Sequence, residues 1–316
     1  MTKLGYFLVC EEHGPRELIE QAVLAERAGF DALWISDHFH PWNHEQGESP
    51  FVWNVIGAIS QVCELPVTTA VTCPTVRTHP AVVAQAAATS AVMLGDRFVL
   101  GVGTGEALNE HILGQPWPPA AIRLEMLEEA VDLIRRLWTG EVITHRGTHY
   151  QLDQAQIYTR PVKPPPIYVS GFGPESIEAA ARFGDGYITT SPDPEPLARY
   201  RELASGPAQA GTKVCWAESE DDGVEIAHRL WGTSGVPGEL AQVLPTPQHF
   251  EQAAELVTRE QTRESVVCGN DIEAHVAKLQ EFVDAGFDEV YVSNIGPNYR
   301  EMIAAFGEQV LPRLRR

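Results

Sequence analysis

The chain has 316 residues, 44% hydrophobic and 21% charged, a soluble globular composition that excludes wholesale disorder. That length fits either two domains of about 150 residues or one barrel of about 250 with insertions. Its 23 Lys and Arg against 43 Asp and Glu leave a net charge of −20, which argues against nucleic acid and anionic membrane as partners.

The first residues, 4–9, read as a short apolar strand that Glu11 and Glu12 terminate. No signal peptide and no apolar run of roughly 18 residues follow from this pattern, so the expectation is a cytoplasmic protein. Five cysteines (Cys10, Cys63, Cys73, Cys215, Cys268) are odd in number, widely spread and form no CxxC pair. A disulfide framework or zinc ribbon is therefore not expected, and a reducing compartment is.

Pro15 opens an amphipathic helix that ends at Gly29, and 32–35 is the second strand. A helix over 51–62 leads to 66–71, whose apolar and Thr residues suit a strand buried on both faces. Pro80 begins an alanine-rich helix to about 94, and 98–102 is the fourth strand. A long helix over about 122–138 stops at Gly140, and 142–152 reads as a hairpin turning at Arg146 and Gly147. After the proline cluster 161–166 comes the fifth strand, 167–170, with a helix from Pro174. The remaining strands are 187–190, 213–217 and 289–292, with helices over 271–285 and 299–311.

Eight strands alternating with helices predict an α/β fold, the (β/α)8 TIM barrel. A doubly wound sheet is the alternative, but its Gly-rich fingerprint should follow the first strand, where Glu11-Glu12-His13-Gly14 stands instead. The chain is expected to be one barrel domain, 1–316, with an insertion at about 231–262 before the last βα unit.

In a barrel the chemistry gathers at the C-terminal strand ends. The second strand is followed by Ser36-Asp37-His38-Phe39-His40-Pro41-Trp42, the third by Thr72-Cys73-Pro74-Thr75. The fourth is followed by Gly103-Thr104-Gly105-Glu106-Ala107-Leu108-Asn109-Glu110, the fifth by Ser170-Gly171-Phe172-Gly173-Pro174. His38 has the residue type of a general base near neutral pH, and a satisfied loop histidine is the plainer reading. His38, His40 and His44 also have the spacing of a metallohydrolase pair, but the later strands supply no further histidine. Gly103 and Gly105 let backbone approach a flat ligand closely. The amides opening the helix at Pro174 offer a phosphate cradle, or an ordinary glycine-rich turn.

These residues together resemble the luciferase-like superfamily of TIM-barrel flavin and deazaflavin enzymes. More narrowly, the chain resembles the coenzyme F420-dependent glucose-6-phosphate dehydrogenase subfamily. The stretches that carry the resemblance are Ser36-Asp37-His38-Phe39 with Trp42, Pro74-Thr75 with Arg77, His79 to Gln85, Gly101 to Glu110, Gly184 to Tyr187, and Thr190-Ser191. It covers nearly the whole chain and is weakest over 231–262. It implies an oxidoreductase that uses F420, with FMN as the alternative cofactor. His38 would take an alcohol's hydroxyl proton as hydride leaves the carbon, and Glu106 would steady a proton at the far side of the deazaflavin. Trp42 would pack over the reacting centre and Glu11 would help position it. Asp37, Val71, Cys73, Gly103, Thr104, Gly105, Asn109, Ser170, Gly171, Phe172 and Gly173 would hold the cofactor. The resemblance also implies a non-prolyl cis peptide at Ala70-Val71 and a homodimer.

The departures concern the substrate. In the glucose-6-phosphate enzymes cations clamp the sugar phosphate. Here Asp193 and Gln252 stand at the two lysine positions, and Arg263 is the candidate for the remaining cation. A neutral alcohol, ketone or enone is therefore expected rather than a phosphorylated sugar. The acidic chain must also meet an anionic cofactor tail, for which a cationic lip of Arg77, Arg123 or Arg160 is the expectation. A non-catalytic deazaflavin carrier is a further alternative.

Overall fold

The structure, a computed structural model, describes residues 2–315. Eight strands close into a parallel ring: β1 (Lys3–Leu8), β2 (Leu33–Ile35), β3 (Val67–Thr69), β4 (Phe98–Val102), β5 (Ile167–Ser170), β6 (Gly186–Thr189), β7 (Ala208–Cys215) and β8 (Glu289–Asn294). Each pairs with the next, and β8 returns to β1 in the register Lys3↔Glu289 to Tyr6↔Val292. The fold is the expected TIM barrel, and closure rules out the open doubly wound sheet.

The helices follow the strands as α1 (Pro15–Ala28), α2 (Val52–Ile59), α3 (Pro80–Leu94), α4 (Ala120–Trp138), α5 (Pro174–Phe183), α6 (Pro194–Leu203), α7 (Glu220–Trp231) and α8 (Ile272–Ala285). Proline at the first turn starts α1, α3, α5 and α6, where its missing N–H costs no hydrogen bond. Gly29 stops α1 at φ 89°, a conformation that side chains with a Cβ rarely adopt. The chain closes with Tyr299–Ala305, a π turn over Phe306–Val310, and Leu311–Leu314.

Three differences from the sequence expectation stand out. β7 begins at Ala208, five residues before the expected 213, because Gln209 and Gly211 break the apolar run on its inward face. α6 and α7 add two helices to those expected, and α7 ends at Trp231. Beyond it lie the short helices Leu240–Val243, Pro247–Ala254 and Arg259–Ser265, then a two-residue strand, Val267–Cys268, beside Val214 and Cys215 of β7. From this stretch Phe250 and Val236 pack on Leu108, with Trp42 against them at the barrel mouth.

The barrel interior is filled by large rings set against missing side chains. Trp34 stacks on Tyr291 at 4.5 Å and meets Phe7 edge-on at 5.5 Å. Its indole N–H donates to Gln209 Oε1 at 2.8 Å, so the buried polar atom is satisfied. A Cβ on Gly5 would lie 2.3 Å from the Tyr291 ring, and one on Gly211 would lie 2.3 Å from Trp34. These two glycines make room for the rings. We predict that Gly211→Ala lowers unfolding stability by about 1–3 kcal/mol, the usual range for an overpacked core. Denaturant titration checks it, and an unchanged midpoint would contradict the packing account.

Candidate active site

The polar loops that leave β1, β2, β3, β4 and β5 meet on one rim, as parallel closure requires. At its centre is the His38 imidazole. Nδ1 lies 3.3 Å from Glu11 Oε1, and Nε2 lies 3.6 Å from Glu106 Oε1. Neither approach is a formed hydrogen bond, and buried Nδ1 has no hydrogen-bond partner among the described residues. The ring is thus bracketed by two carboxylates without being locked to either, an arrangement that can accept, hold and release a proton.

Each neighbour is held from behind. Glu11 is buried and accepts from Ser36 Oγ at 2.7 Å, while Ser36 Oγ itself accepts from Cys10 N at 2.9 Å. Asn109 donates through Nδ2 to Glu106, and its Oδ1 accepts from the amides of Phe39 at 2.7 Å and His40 at 2.9 Å. One amide side chain therefore couples the β2 and β4 loops. Trp42 lies against His38 with ring centroids 5.1 Å apart and is backed edge-on by Phe250 at 5.0 Å.

Asp37 sits below the rim. It accepts from Thr72 Oγ1 at 2.8 Å and from Arg77 Nη2 at 3.0 Å. Arg77 also reaches Glu110, through its backbone amide at 2.7 Å and Nε at 3.4 Å. Burial alone would pull the guanidinium down, but Asp37 and Glu110 hold it charged. Burial pushes the Glu110 carboxyl up to about 7, with Arg77 opposing. Cys73 lies close to Gly105, where an added Cβ would sit 3.2 Å from its Sγ, and burial keeps that thiol protonated. Gly105 has φ 77°, a left-handed conformation that turns the chain so Glu106 faces the mouth. Gly103 packs against Val71, whose peptide with Ala70 is cis, and Thr104 continues the same loop.

In the β5 loop the amides of Phe172 and Gly173 both donate to Ser176 Oγ at 3.1 Å. The Gly171 carbonyl accepts from the Tyr187 hydroxyl at 2.8 Å. Ser170 is half-buried where β5 reaches the rim, Phe172 is exposed, and nothing lies within 4 Å of where a Gly173 side chain would be.

Three histidines of the β2 loop have three separate partners: His38 the two carboxylates, His40 the Leu108 carbonyl at 2.8 Å, and His44 Glu251 at 2.8 Å. The expected cationic lip is a correction. Arg77 is committed to Asp37 and Glu110. Arg123 is bonded to the Gly105 carbonyl and Gln242 and lies over Trp117. Arg160 caps the carbonyls of Trp138 and Thr139, at the end of α4. The sequence reading left two charged residues without a role. Glu12 accepts from Trp231 Nε1 and from Gly296 N, and burial pushes it up to about 7. Lys213 projects from β7 onto the rings of Trp231 and Phe7. The signal for Lys213 is its two-residue spacing from Gly211, which puts both on the inward face of one strand.

The luciferase-like monooxygenase family matches residues 2–289. An F420-dependent glucose-6-phosphate dehydrogenase of Microbacterium testaceum is 37% identical over 332 aligned residues, covering 99% of this chain and 98% of that one. A solved F420-dependent secondary alcohol dehydrogenase, in complex with an F420-acetone adduct, is 31% identical with a TM-score of 0.92, over 100% of both chains. The coenzyme F420-dependent tetrahydromethanopterin reductase from Methanopyrus kandleri shares the fold at a TM-score of 0.80 and 20% identity, over 99% of both chains.

Glu110 gives a pH test of the buried network. Its folded pKa, about 7, lies above the ordinary carboxyl value of 4.5, so the stability it contributes is complete below about pH 4.5. That contribution is lost as pH rises through about 7. We predict that Glu110→Gln gains about 1–3 kcal/mol relative to the native chain between pH 5 and pH 8. Paired denaturant titrations check it, and a difference that stays flat or falls over that window would contradict it.

Proposed function

The chain belongs to the luciferase-like family, within its F420-dependent branch, and we propose that it moves a hydride between a neutral alcohol or its carbonyl product and that deazaflavin. The observation that carries this reading is the His38 ring bracketed by Glu11 at 3.3 Å and Glu106 at 3.6 Å under Trp42. Hydride transfer to a neutral carbon acceptor needs a proton handler on each side, and this rim supplies two.

The residues present fit the cofactor. Oγ1 of Thr75 is a buried polar atom without a hydrogen-bond partner among the described residues, and the space beside Gly173 is open between exposed Phe172 and the rim. Asp37, Val71, Cys73, Gly103, Thr104, Gly105, Asn109 and the loop Ser170, Gly171, Phe172, Gly173 are the residues we assign to holding it. When bound, the deazaflavin supplies the site that accepts or returns the hydride.

Glu11 orients His38 through Nδ1, which leaves the Nε2 lone pair to take the substrate's hydroxyl proton. Glu106, tied to Asn109, steadies the second proton on the opposite side of the site. Trp42 and Phe250 wall the reacting centre with apolar surface and exclude water. At the positions where the glucose-6-phosphate enzymes use cations, Asp193 caps α6 by accepting from Glu195 N at 2.9 Å, and Gln252 is exposed. Arg263 bonds Glu220 and Asp221, each at 2.9 Å. Among the described residues, none of these three positions offers a free cation for a phosphate dianion, which supports an uncharged substrate. The five cysteines are free and buried, which supports a reducing cytoplasm, and we take the assembly to be a homodimer.

Two variants test the roles. We predict that His38→Ala and Glu106→Gln each lower kcat by about 10²–10⁴-fold, the usual contribution of a positioned proton handler. F420 affinity, read by fluorescence, should stay within a few-fold of the native chain. Secondary alcohols should be turned over and glucose 6-phosphate should not. Full turnover in either variant, or preference for the sugar phosphate, would contradict the assignment.

A further inference from the structure

The loop that carries Trp42 changes partners at that residue. Up to His40 it is tied to the β4 loop, by the Asn109 side chain on the amides of Phe39 and His40 and by the Leu108 carbonyl on the His40 ring. Beyond Trp42, the residues Asn43, His44, Glu45 and Gln46 are each tied to the end of α7 or to the short helix Pro247–Ala254. Asn43 Nδ2 and Gln46 Nε2 both donate to the Leu230 carbonyl, at 2.8 and 2.9 Å. That carbonyl lies in the last turn of α7, where no intrahelical N–H is left to bond it. Both amide side chains are buried, so these bonds are made away from water. Gln46 Oε1 accepts from the Trp42 amide at 2.7 Å, and Glu45 pairs with Arg229. Glu251 Oε1 accepts from the His44 amide at 2.8 Å and lies 2.8 Å from Nδ1 of the same residue.

Phe250, one residue before Glu251 on that helix, is fully buried with Leu108 and Val236, and its ring meets Trp42 edge-on at 5.0 Å. The other ring beside Trp42 is His38, at 5.1 Å. The indole is only half-buried, and its position is set by a segment that follows α7 as well as by its own loop. We propose that the helix Pro247–Ala254 determines substrate size: Phe250 and Glu251 are positioning residues that hold Trp42 over His38 and so limit how large an apolar group the reacting alcohol or ketone can carry. This rests on the hydride-transfer reading of the His38 rim. An indole held by packing and by the bonds of its own loop cannot swing away from a bulky substrate, so a poor fit costs binding in the transition state. His38, Glu11 and Glu106 sit on the β2, β1 and β4 loops, so proton handling and the size limit are carried by different parts of the chain.

Isopropanol and cyclohexanol, a small and a large secondary alcohol, read out the size limit. Removing the Phe250 ring leaves space behind the indole. Phe250→Ala should therefore raise the ratio of kcat/KM for cyclohexanol over isopropanol about tenfold, the scale on which one pocket contact discriminates. KM for cyclohexanol should fall, and the F420 dissociation constant should stay within a few-fold of the native value. Glu251→Ala loosens the same wall from the surface, where His44 is exposed and Glu251 partly so, and the fold is not at stake. It should move the ratio in the same direction by about threefold. An unchanged ratio in both variants would overturn the proposal, even if kcat fell for both alcohols alike, since that is the result of a merely structural role.

A second readout needs no turnover. In protein labelled with fluorotryptophan, the Trp42 ¹⁹F resonance, assigned by its loss in Trp42→Phe, should shift in Glu251→Ala. That variant deletes no aromatic ring, so the shift reports a change in how the indole is held. A resonance that stays at the native position would remove the coupling and with it the proposal. Absence of native turnover with F420 and any alcohol, alongside a shifted resonance, would instead remove the hydride-transfer reading and leave Trp42 held by this helix.

Discussion

Closure of the parallel ring is the constraint on which everything else rests. A barrel of eight parallel strands has no free edge, and every βα loop must leave by the same end. The ring closes because β8 pairs with β1 over four registered positions and β7 pairs with both β8 and β6. Its interior holds Trp34 stacked on Tyr291, which Gly5 and Gly211 accommodate. Groups more than 25 residues from His38 in the chain, Glu11 and Glu106, thereby each come within 4 Å of its imidazole at the rim.

Charge organises that rim in two layers. Below it, Arg77 joins Asp37 to Glu110 and so fixes the β2, β3 and β4 loops to one another. Removing one member of such a buried set leaves an uncompensated charge, which is far costlier than losing a surface pair. At the rim, His38 lies between carboxylates that are each held from behind, Glu11 by Ser36 and Glu106 by Asn109. The lower layer supplies rigidity and the upper layer keeps proton positions open. The chain's large negative charge is thus compatible with a site whose cations are interior and already engaged.

Much of this was legible in the sequence, for physical reasons that differ by element. β1 and β4 are continuous apolar runs, and helices opened by Pro15, Pro80 and Pro174 carry their own start signals. The motifs at the ends of β2 and β4 stood out because titratable and glycine residues seldom cluster after an apolar strand. The first half of β7 was invisible, since Ala208, Gln209, Ala210 and Gly211 show no hydrophobic period. Their inward positions are small or polar because Trp34 occupies the space. α7 opens on three acidic residues capped by Ser219, a start signal obscured by its length of charge. Arg77 and Arg123 looked like cations for a ligand, and only the fold reveals the carboxylates and carbonyls that engage them. Lys213 carried no signal beyond its alternation with Gly211, because the rings it rests on come from β1 and α7.

The central claim is that this rim is built for a deazaflavin. The direct test is titration of the purified native protein with F420, and separately with FMN, following fluorescence quenching. The account predicts saturable F420 binding at one equivalent per chain and no comparable binding of FMN. Saturable FMN binding without F420 binding would contradict it, leaving the barrel and the bracketed histidine in place but requiring a different chemistry for them.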